Sequence, residues 1–378
     1  MGYNIDFNKG MMNYGDFTRM RKTMARAAKG EPITVGFLGG SITNGSCASI
    51  PEKCYAYLVY KWWQETFPKS AVTFVNVGIG ATNSDFGVAR VDEDLLCKKP
   101  DFMVVEYSVN DENNLHYLET YEGLVRHILK SESEIALMLV HNVFYATAES
   151  AEDKHLLVGK HYDLPAVSMK YSVYPEVLCG NIPVREITPD DLHPNDAGHR
   201  ILADLIIHML EIIKAHVEEG DENAKISLDL KKPLTKNGYE NSRLLNNTNL
   251  KPDFLQGFEI DKPGRKDIWD KFTRGFFAWK TGDKVEFTVK GSSFSVQFRR
   301  SIVRPAPVAK ITIDGENEAI LDGAYDQNWG DYLRTEPIAD GLEDKDHRIA
   351  IEITEDHSDC EEKDKVPFYL VSIIASNS

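Results

Sequence analysis

The chain of 378 residues predicts a three-layer α/β domain followed by an antiparallel β-sandwich. Three observations carry that expectation. Up to about residue 217, short apolar runs alternate with stretches of helical period, the pattern of a parallel sheet covered by helices on both faces. From Glu218 to Ser227 the sequence turns polar and acidic, "EEGDENAKIS". Beyond about residue 255 the helical period gives way to alternating apolar and polar residues, the period of half-buried strands. The expected division is a domain over 1–217, a connecting segment over 218–250 and a second domain over 251–378.

The first domain's expected strands are Thr34 to Leu38, Val72 to Val77, Phe102 to Glu106 and Ile135 to Val140. Between them fall helical stretches, Glu52 to Thr66, Asp85 to Leu96 and Tyr117 to Leu129. A last helix runs from Asn195 to Val217, with Ile201, Leu202, Leu205, Ile206, Met209, Leu210 and Ile213 on one face. Asn195 suits its N-cap and Gly220 its stop. In the second domain, "DKVEFTVKGSSFSVQFRRS" reads as a hairpin around Gly-Ser, and "VAKITIDGENEAIL" as a hairpin around Asp314-Gly315.

Charge narrows the function classes. With 43 basic against 59 acidic residues, the formal net charge is -16. Such a chain repels nucleic acid and anionic membranes, and no basic run reverses the field. No segment approaches the roughly eighteen apolar residues that a membrane span needs. The first thirty residues hold no apolar stretch of signal-peptide length. The cysteines (Cys47, Cys54, Cys97, Cys179 and Cys360) are scattered and form no CxxC pair. They fit reduced thiols and a cytoplasmic location.

The chemistry gathers at strand ends. The first strand stops at Gly39-Gly40-Ser41. The second runs into "NVGIGATNSD", the third into "SVND". A parallel sheet brings such ends to one edge, where ligands bind. Just before the last helix, "ITPDDLHPNDAGH" holds Asp190 and His193 three residues apart. A serine hydroxyl needs a base to take its proton, and an imidazole needs an acceptor on its other nitrogen to fix its tautomer. Ser41, His193 and Asp190 supply that set, with Asp191 as the competing carboxylate. The oxyanion donors expected are the Ser41 and Gly80 amides and the Asn110 side chain, with Gly78 competing for the second place. "GIGATN" lacks the third glycine of a dinucleotide fingerprint and follows the second strand, which argues against a nucleotide. No histidine pair has HExxH spacing. No metal or cofactor is expected. His199 and His208 read as packing or surface residues of the last helix.

These blocks, "GGSITNG", "NVGIGATN", "SVND" and "DDLHPNDAGH", together resemble the SGNH, or GDSL-type, hydrolase superfamily over residues 30–217. The resemblance implies a flavodoxin-like fold, Ser41 as nucleophile, His193 as base and then acid, and Asp190 as its orienter. It also implies Ser41, Gly80 and Asn110 as the oxyanion hole. Two departures stand out. Gly-Gly-Ser replaces Gly-Asp-Ser in the first block. In the third, Ser108 stands before Val109 and Asn110, where the family commonly has glycine.

With its sandwich, the chain is similar to the two-domain mannan O-acetylesterases of carbohydrate esterase family seventeen. That likeness implies an acetylated oligosaccharide as substrate, 2-O-acetyl mannose in particular, and a homodimer. The sandwich would be a jelly-roll resembling carbohydrate-binding modules. One stretch in it, "YDQNWGDYLR", offers Tyr325, Asp326, Gln327, Asn328, Trp329 and Tyr332 for sugar stacking and hydrogen bonding. The rival readings are a lysophospholipase or acyl-thioesterase, a sugar acyltransferase, and an inactive sugar-binding protein.

Overall fold

The computed structural model describes residues 3–262, 272–326, 330–356 and 366–377. The chain divides into two units, Met1–Asn237 and Gly238–Ser378.

In chain order the first unit contains β1 (Met11–Asn13), α1 (Thr18–Ala28), β2 (Ile33–Gly39), α2 (Ser41–Asn44), α3 (Tyr55–Thr66) and β3 (Val72–Asn76). It continues with α4 (Ser84–Asp94), β4 (Phe102–Glu106), α5 (Leu115–Leu129), β5 (Ala136–His141), α6 (Glu152–His161) and β6 (Ala166–Ser168). Three short helices follow, α7 (Met169–Ser172), α8 (Tyr174–Leu178) and α9 (Val184–Ile187), and then α10 (Asp196–Lys214). The strand order is β1-β6-β5-β4-β2-β3. All neighbours are parallel except the edge pair of β1 with β6. From β2 onward this is the flavodoxin-like order, and its reversal point lies between β2 and β4.

Strand residues alternate between two cores because successive side chains point to opposite faces. Val35, Phe37, Phe102, Val104, Met138 and Val140 pack with residues of α1, α3 and α10. Leu38, Met103, Val105, Leu137 and Leu139 pack with residues of α4, α5 and α6. Strands buried on both faces read as nearly continuous apolar runs, which is why β2, β4 and β5 are plain in the sequence. The elements β1, α1, α6 and β6 fall outside the predicted alternation. Thr18–Ala28 is rich in basic residues on its outer side, and β1 and β6 hold only three residues each.

The segment 218–250 divides between the units. Glu122 of α5 accepts from the amides of Leu234 at 2.6 Å and Thr235 at 2.8 Å, so this stretch lies against the first unit. Further on, β7 (Arg243–Leu245) is a strand of the second unit.

The second unit continues with β8 (Phe254–Gln256), β9 (Glu259–Ile260), β10 (Phe276–Ala278), β11 (Lys284–Gly291), β12 (Ser293–Arg300) and β13 (Val308–Ile313). The last strands are β14 (Asn317–Asp322), β15 (Tyr332–Ala339), β16 (Lys345–Glu355) and β17 (Phe368–Ser376). Among the described residues they form two antiparallel sheets, β15-β12-β17-β10-β9 with β7 on β17, and β14-β13-β16-β11-β8. Both inner faces contribute to one core: Phe276, Val296 and Ile373 from the first sheet meet Val285, Ile311 and Ile351 from the second. This is a β-sandwich.

The two expected hairpins part company here. β13 and β14 do pair, with Asp314 (φ 54°) and Gly315 (φ 77°) both in the left-handed region that the turn requires. β11 and β12 do not pair. β11 pairs with β16 and β8 in one sheet, and β12 with β15 and β17 in the other. Gly291-Ser292 carries the chain from sheet to sheet. Alternation specifies which face a side chain takes, and it leaves the partner strand open.

The helix that seats the fourth block begins where expected. Asn195 caps α10, its Oδ1 accepting from the amides of Ala197 at 3.0 Å and Gly198 at 3.1 Å. Asn195→Ala is expected to cost about 1 kcal/mol of stability, measured as a lower urea midpoint at unchanged m-value.

Candidate active site

Ser41 opens α2 directly after β2, with Gly40 as the N-cap residue. Gly39 and Gly40 are glycines for a steric reason. A Cβ on Gly39 would lie 2.3 Å from Thr43 Oγ1 and 2.5 Å from the Glu106 carbonyl oxygen. A Cβ on Gly40 would lie 2.2 Å from Asn110 Oδ1. The chain leaving β2 therefore touches the end of β4 at backbone distance, and the Asn110 carboxamide rests on Gly40 beside Ser41. Thr43 Oγ1 and the Tyr55 hydroxyl, 2.8 Å apart, hold α2 against α3.

The fourth block folds onto this turn. His193 Nε2 is 2.8 Å from Ser41 Oγ, and His193 Nδ1 is 2.6 Å from Asp190 Oδ2. A carboxylate only accepts, so Nδ1 carries the proton and Nε2 is left to accept from the serine hydroxyl. Asp190 Oδ1 also accepts from the amides of His193 at 2.7 Å and Leu192 at 3.1 Å. Burial pushes the Asp190 pKa up, but the hydrogen bonds from His193 and Leu192 outweigh it and leave the carboxyl below its ordinary value. Asp191, the competing carboxylate, turns away to Arg185.

The expected oxyanion donors converge on the same serine. A Cβ built on Gly80 would meet only Ser41, at 3.6 Å from its Cβ, so the Gly80 backbone faces the nucleophile across open space. Among the described residues, neither the Ser41 nor the Gly80 amide donates to a protein acceptor. The Gly78 amide donates to Asn76 Oδ1 at 2.9 Å, and a Cβ there would strike the Asn44 amide nitrogen at 2.3 Å. Gly78 is needed for close packing, and its N–H is already engaged. Ser41, Gly80, Asn110, Asp190 and His193 thus come together at the reversal point of the sheet.

The second-unit candidates stand differently. The Tyr325 ring packs on Tyr332 at 4.6 Å, with the Arg300 guanidinium 5.4 Å from its centre. Asp326 pairs with Arg304. Gln327, Asn328 and Trp329 lie outside the described residues. His208 contacts Asn8 on the surface of α10.

Two buried groups that the sequence reading passed over adjoin the site. Asp111 and His155 form a fully buried pair, Oδ2 to Nε2 3.0 Å. The signal for Asp111 was its place beside Asn110; nothing in the sequence around His155 marks it. His199 matters more than a packing residue. Its Nδ1 accepts from the first amide of α3, Tyr55, at 3.3 Å, and its Nε2–H donates to the Ser46 carbonyl at 3.2 Å. It holds the loop that follows Ser41.

One cysteine shares this neighbourhood. The Cys47 thiol and the ligating atoms of Asp190 and His193 lie within 4.8 Å of one another. The Cys47 pKa is raised, by burial first and then by the Asp190 charge, so the group is a thiol and not a thiolate at neutral pH. Cys54, Cys97 and Cys179 are likewise free, and Cys360 lies outside the described residues.

A serine in direct contact with a histidine–carboxylate pair at the switch point of a flavodoxin-like sheet is the arrangement of a serine hydrolase. Residues 37–201 match the GDSL-like Lipase/Acylhydrolase family. Over both units the chain is similar to a two-domain esterase (CEX) active on acetylated mannans. The identity is 46%, covering 99% of this chain and 99% of that one, with a TM-score of 0.93. The same esterase co-crystallised with mannopentaose aligns with a TM-score of 0.92 and 46% identity over 100% of this chain and 99% of that one. An acetylxylan esterase from Geobacillus stearothermophilus is 26% identical over 196 residues, 44% of this chain and 89% of that protein. The chain belongs to the GDSL-like hydrolases, as one of their two-domain esterases.

Two expectations follow from the geometry. Gly40→Ala should displace Asn110 and lower kcat on a simple aryl acetate by about a hundredfold, the effect of losing one oxyanion donor, while circular dichroism stays native. Burial lowers the His199 pKa from its ordinary 6.5 to about 4. The unfolded chain therefore takes up this proton first. The stabilisation is complete above about pH 6.5 and is lost as pH falls toward 4, roughly 3 kcal/mol in all. Urea unfolding from pH 7 to 4 should show that slope, and His199→Gln should flatten it.

Proposed function

We propose that this esterase removes O-acetyl groups from acetylated manno-oligosaccharides, 2-O-acetyl mannose in particular, through an acetyl-Ser41 intermediate. The chemistry rests on the direct contact of Ser41 Oγ with His193 Nε2. The sugar rests on one observation above the others, 46% identity along the whole two-unit chain to an esterase active on acetylated mannans.

His193 takes the hydroxyl proton as Ser41 Oγ attacks the acetyl carbonyl. The carbonyl oxygen becomes an oxyanion, and the amides of Ser41 and Gly80 and the Asn110 side chain donate to it. Asp190 stabilises the imidazolium. The proton on Nε2 passes to the departing sugar oxygen and the acetyl group stays on Ser41. Water then repeats the sequence, giving its proton to His193, and releases acetate.

A cavity of about 480 Å3 opens beside Asn110, where Glu112, Asn113, Glu149, Ser150 and Lys170 offer polar groups and Val109, Phe144 and Ala148 apolar ones. Such mixed walls can take a sugar, with hydrogen bonds to its hydroxyls and apolar contact with its ring face.

Wild-type protein is expected to release acetate from acetylated manno-oligosaccharides, with NMR showing loss of the 2-O-acetyl signal. Activity on aryl esters should fall steeply from acetate to decanoate. Ser41→Ala should abolish both activities at unchanged melting temperature. Preference for decanoate would turn the reading to a lipid or thioester acyl group.

A further inference from the structure

We propose that Asp111, braced by His155, is the positioning residue that sets the spacing between two of the oxyanion donors, the Asn110 amide and the Gly80 N–H. The inference rests on the donor assignment above. It starts from the fact that those donors come from different loops. Asn110 stands after β4, where its own amide and that of Asp111 both donate to the Tyr107 carbonyl at 2.9 Å. Gly80 stands after β3, in the loop that leads into α4. Asn76 Nδ2 donates to the Thr43 carbonyl of α2 and the Ile79 amide to the Gly39 carbonyl of β2, tying down the start of that loop. Its far end needs an anchor of its own.

Asp111 is that anchor. Its Oδ1 accepts from the Ser84 amide at 2.8 Å. Ser84 is the first residue of α4, four positions after Gly80. An acceptor is wanted there because the first amides of a helix have no partner within it. Neighbouring contacts lock the same helix start, Ser84 Oγ to Thr120 Oγ1 at 2.6 Å and Asn83 Nδ2 to the Tyr117 hydroxyl at 2.6 Å. One side chain, next to Asn110 in the chain, thus grips the loop that carries Gly80.

His155 holds the other oxygen. Its Nε2 meets Asp111 Oδ2 at 3.0 Å, and neither side chain is exposed. The ring lies flat on Tyr121, centroids 3.6 Å apart at 3°. The carboxyl is therefore clamped between a helix terminus and an imidazole that cannot swing. Burial drives the His155 pKa down to about 3 and raises that of Asp111, so both groups favour their neutral forms. The contact is one of hydrogen-bond geometry and not of charge.

That distinction yields the test, read on 4-nitrophenyl acetate so that sugar recognition plays no part. Asp111→Ala should lower kcat by about ten- to a hundredfold, less than outright loss of a donor, with KM within about twofold. Asp111→Asn, which can still accept from Ser84 and donate to His155, should keep kcat within about threefold of wild type. In the double variant Asn110→Ala/Asp111→Ala, kcat should fall little below that of Asn110→Ala alone, because Asp111 acts through the donor already lost. Should Asp111→Ala not fold, His155→Leu reads the same quantities while filling the volume. Unchanged kcat in the folded variant, or losses that multiply in the double variant, would overturn the proposal. A fully active Asn110→Ala would instead overturn the donor assignment on which it stands.

Discussion

The catalytic unit depends on how closely three strand ends approach one another. The chain leaving β2 passes the end of β4 with no room for a side chain at Gly39 or Gly40, and the loop after β3 passes α2 with none at Gly78. Backbone contact at these points puts Ser41, Gly80 and Asn110 around one small volume. Oxyanion donors act only when aimed at the same atom, so a displacement of a single methyl group's width matters. The triad arrives from outside this frame. Its loop between α9 and α10 lays His193 onto Ser41, and the α10 cap keeps it there.

Charge is sorted by depth around the frame. Asp190 sits at the rim with its side chain 47% exposed, hydrogen-bonded and below its ordinary pKa, so it stays ionised beside His193. Beneath, Glu106, His155 and His141 move toward neutrality, while the buried Arg90 guanidinium is kept charged by Tyr107 and Asp94. Burial pushes Glu106 up to about 7 and His155 down to about 3, and it lowers His141 well below the ordinary value. An uncompensated charge in such surroundings would be costly, so the buried acids and histidines favour their neutral forms. The ionised carboxylate is thus kept for the position where the imidazolium forms.

Much of this was legible in the residue order. The doubly buried strands β2, β4 and β5 announce themselves as apolar runs, and α10 as an amphipathic helix with its cap. Ser41, Gly80 and Asn110 stand after strand ends as the pattern places them, and Asp190 and His193 in the loop before the last helix. Other elements were not legible. The three-residue strands β1 and β6 are too short to show a period. The Gly291-Ser292 turn looks like a hairpin and instead joins two sheets. His155 is invisible because its partner, Asp111, is 44 positions away in the chain.

The sequence by itself determined the alternation of strands and helices, the change to a β domain, and the reacting groups, because periodicity and local blocks are short-range properties. Only the tertiary structure decided which glycine amide remains free, which of two adjacent aspartates meets the histidine, and which buried pair lies beside the donors. Gly78 and Gly80, or Asp190 and Asp191, differ by one or two positions in the chain. What separates them is the path each loop takes once folded: the Gly78 N–H is taken by Asn76 and Asp191 by Arg185, which leaves Gly80 facing Ser41 and Asp190 on His193.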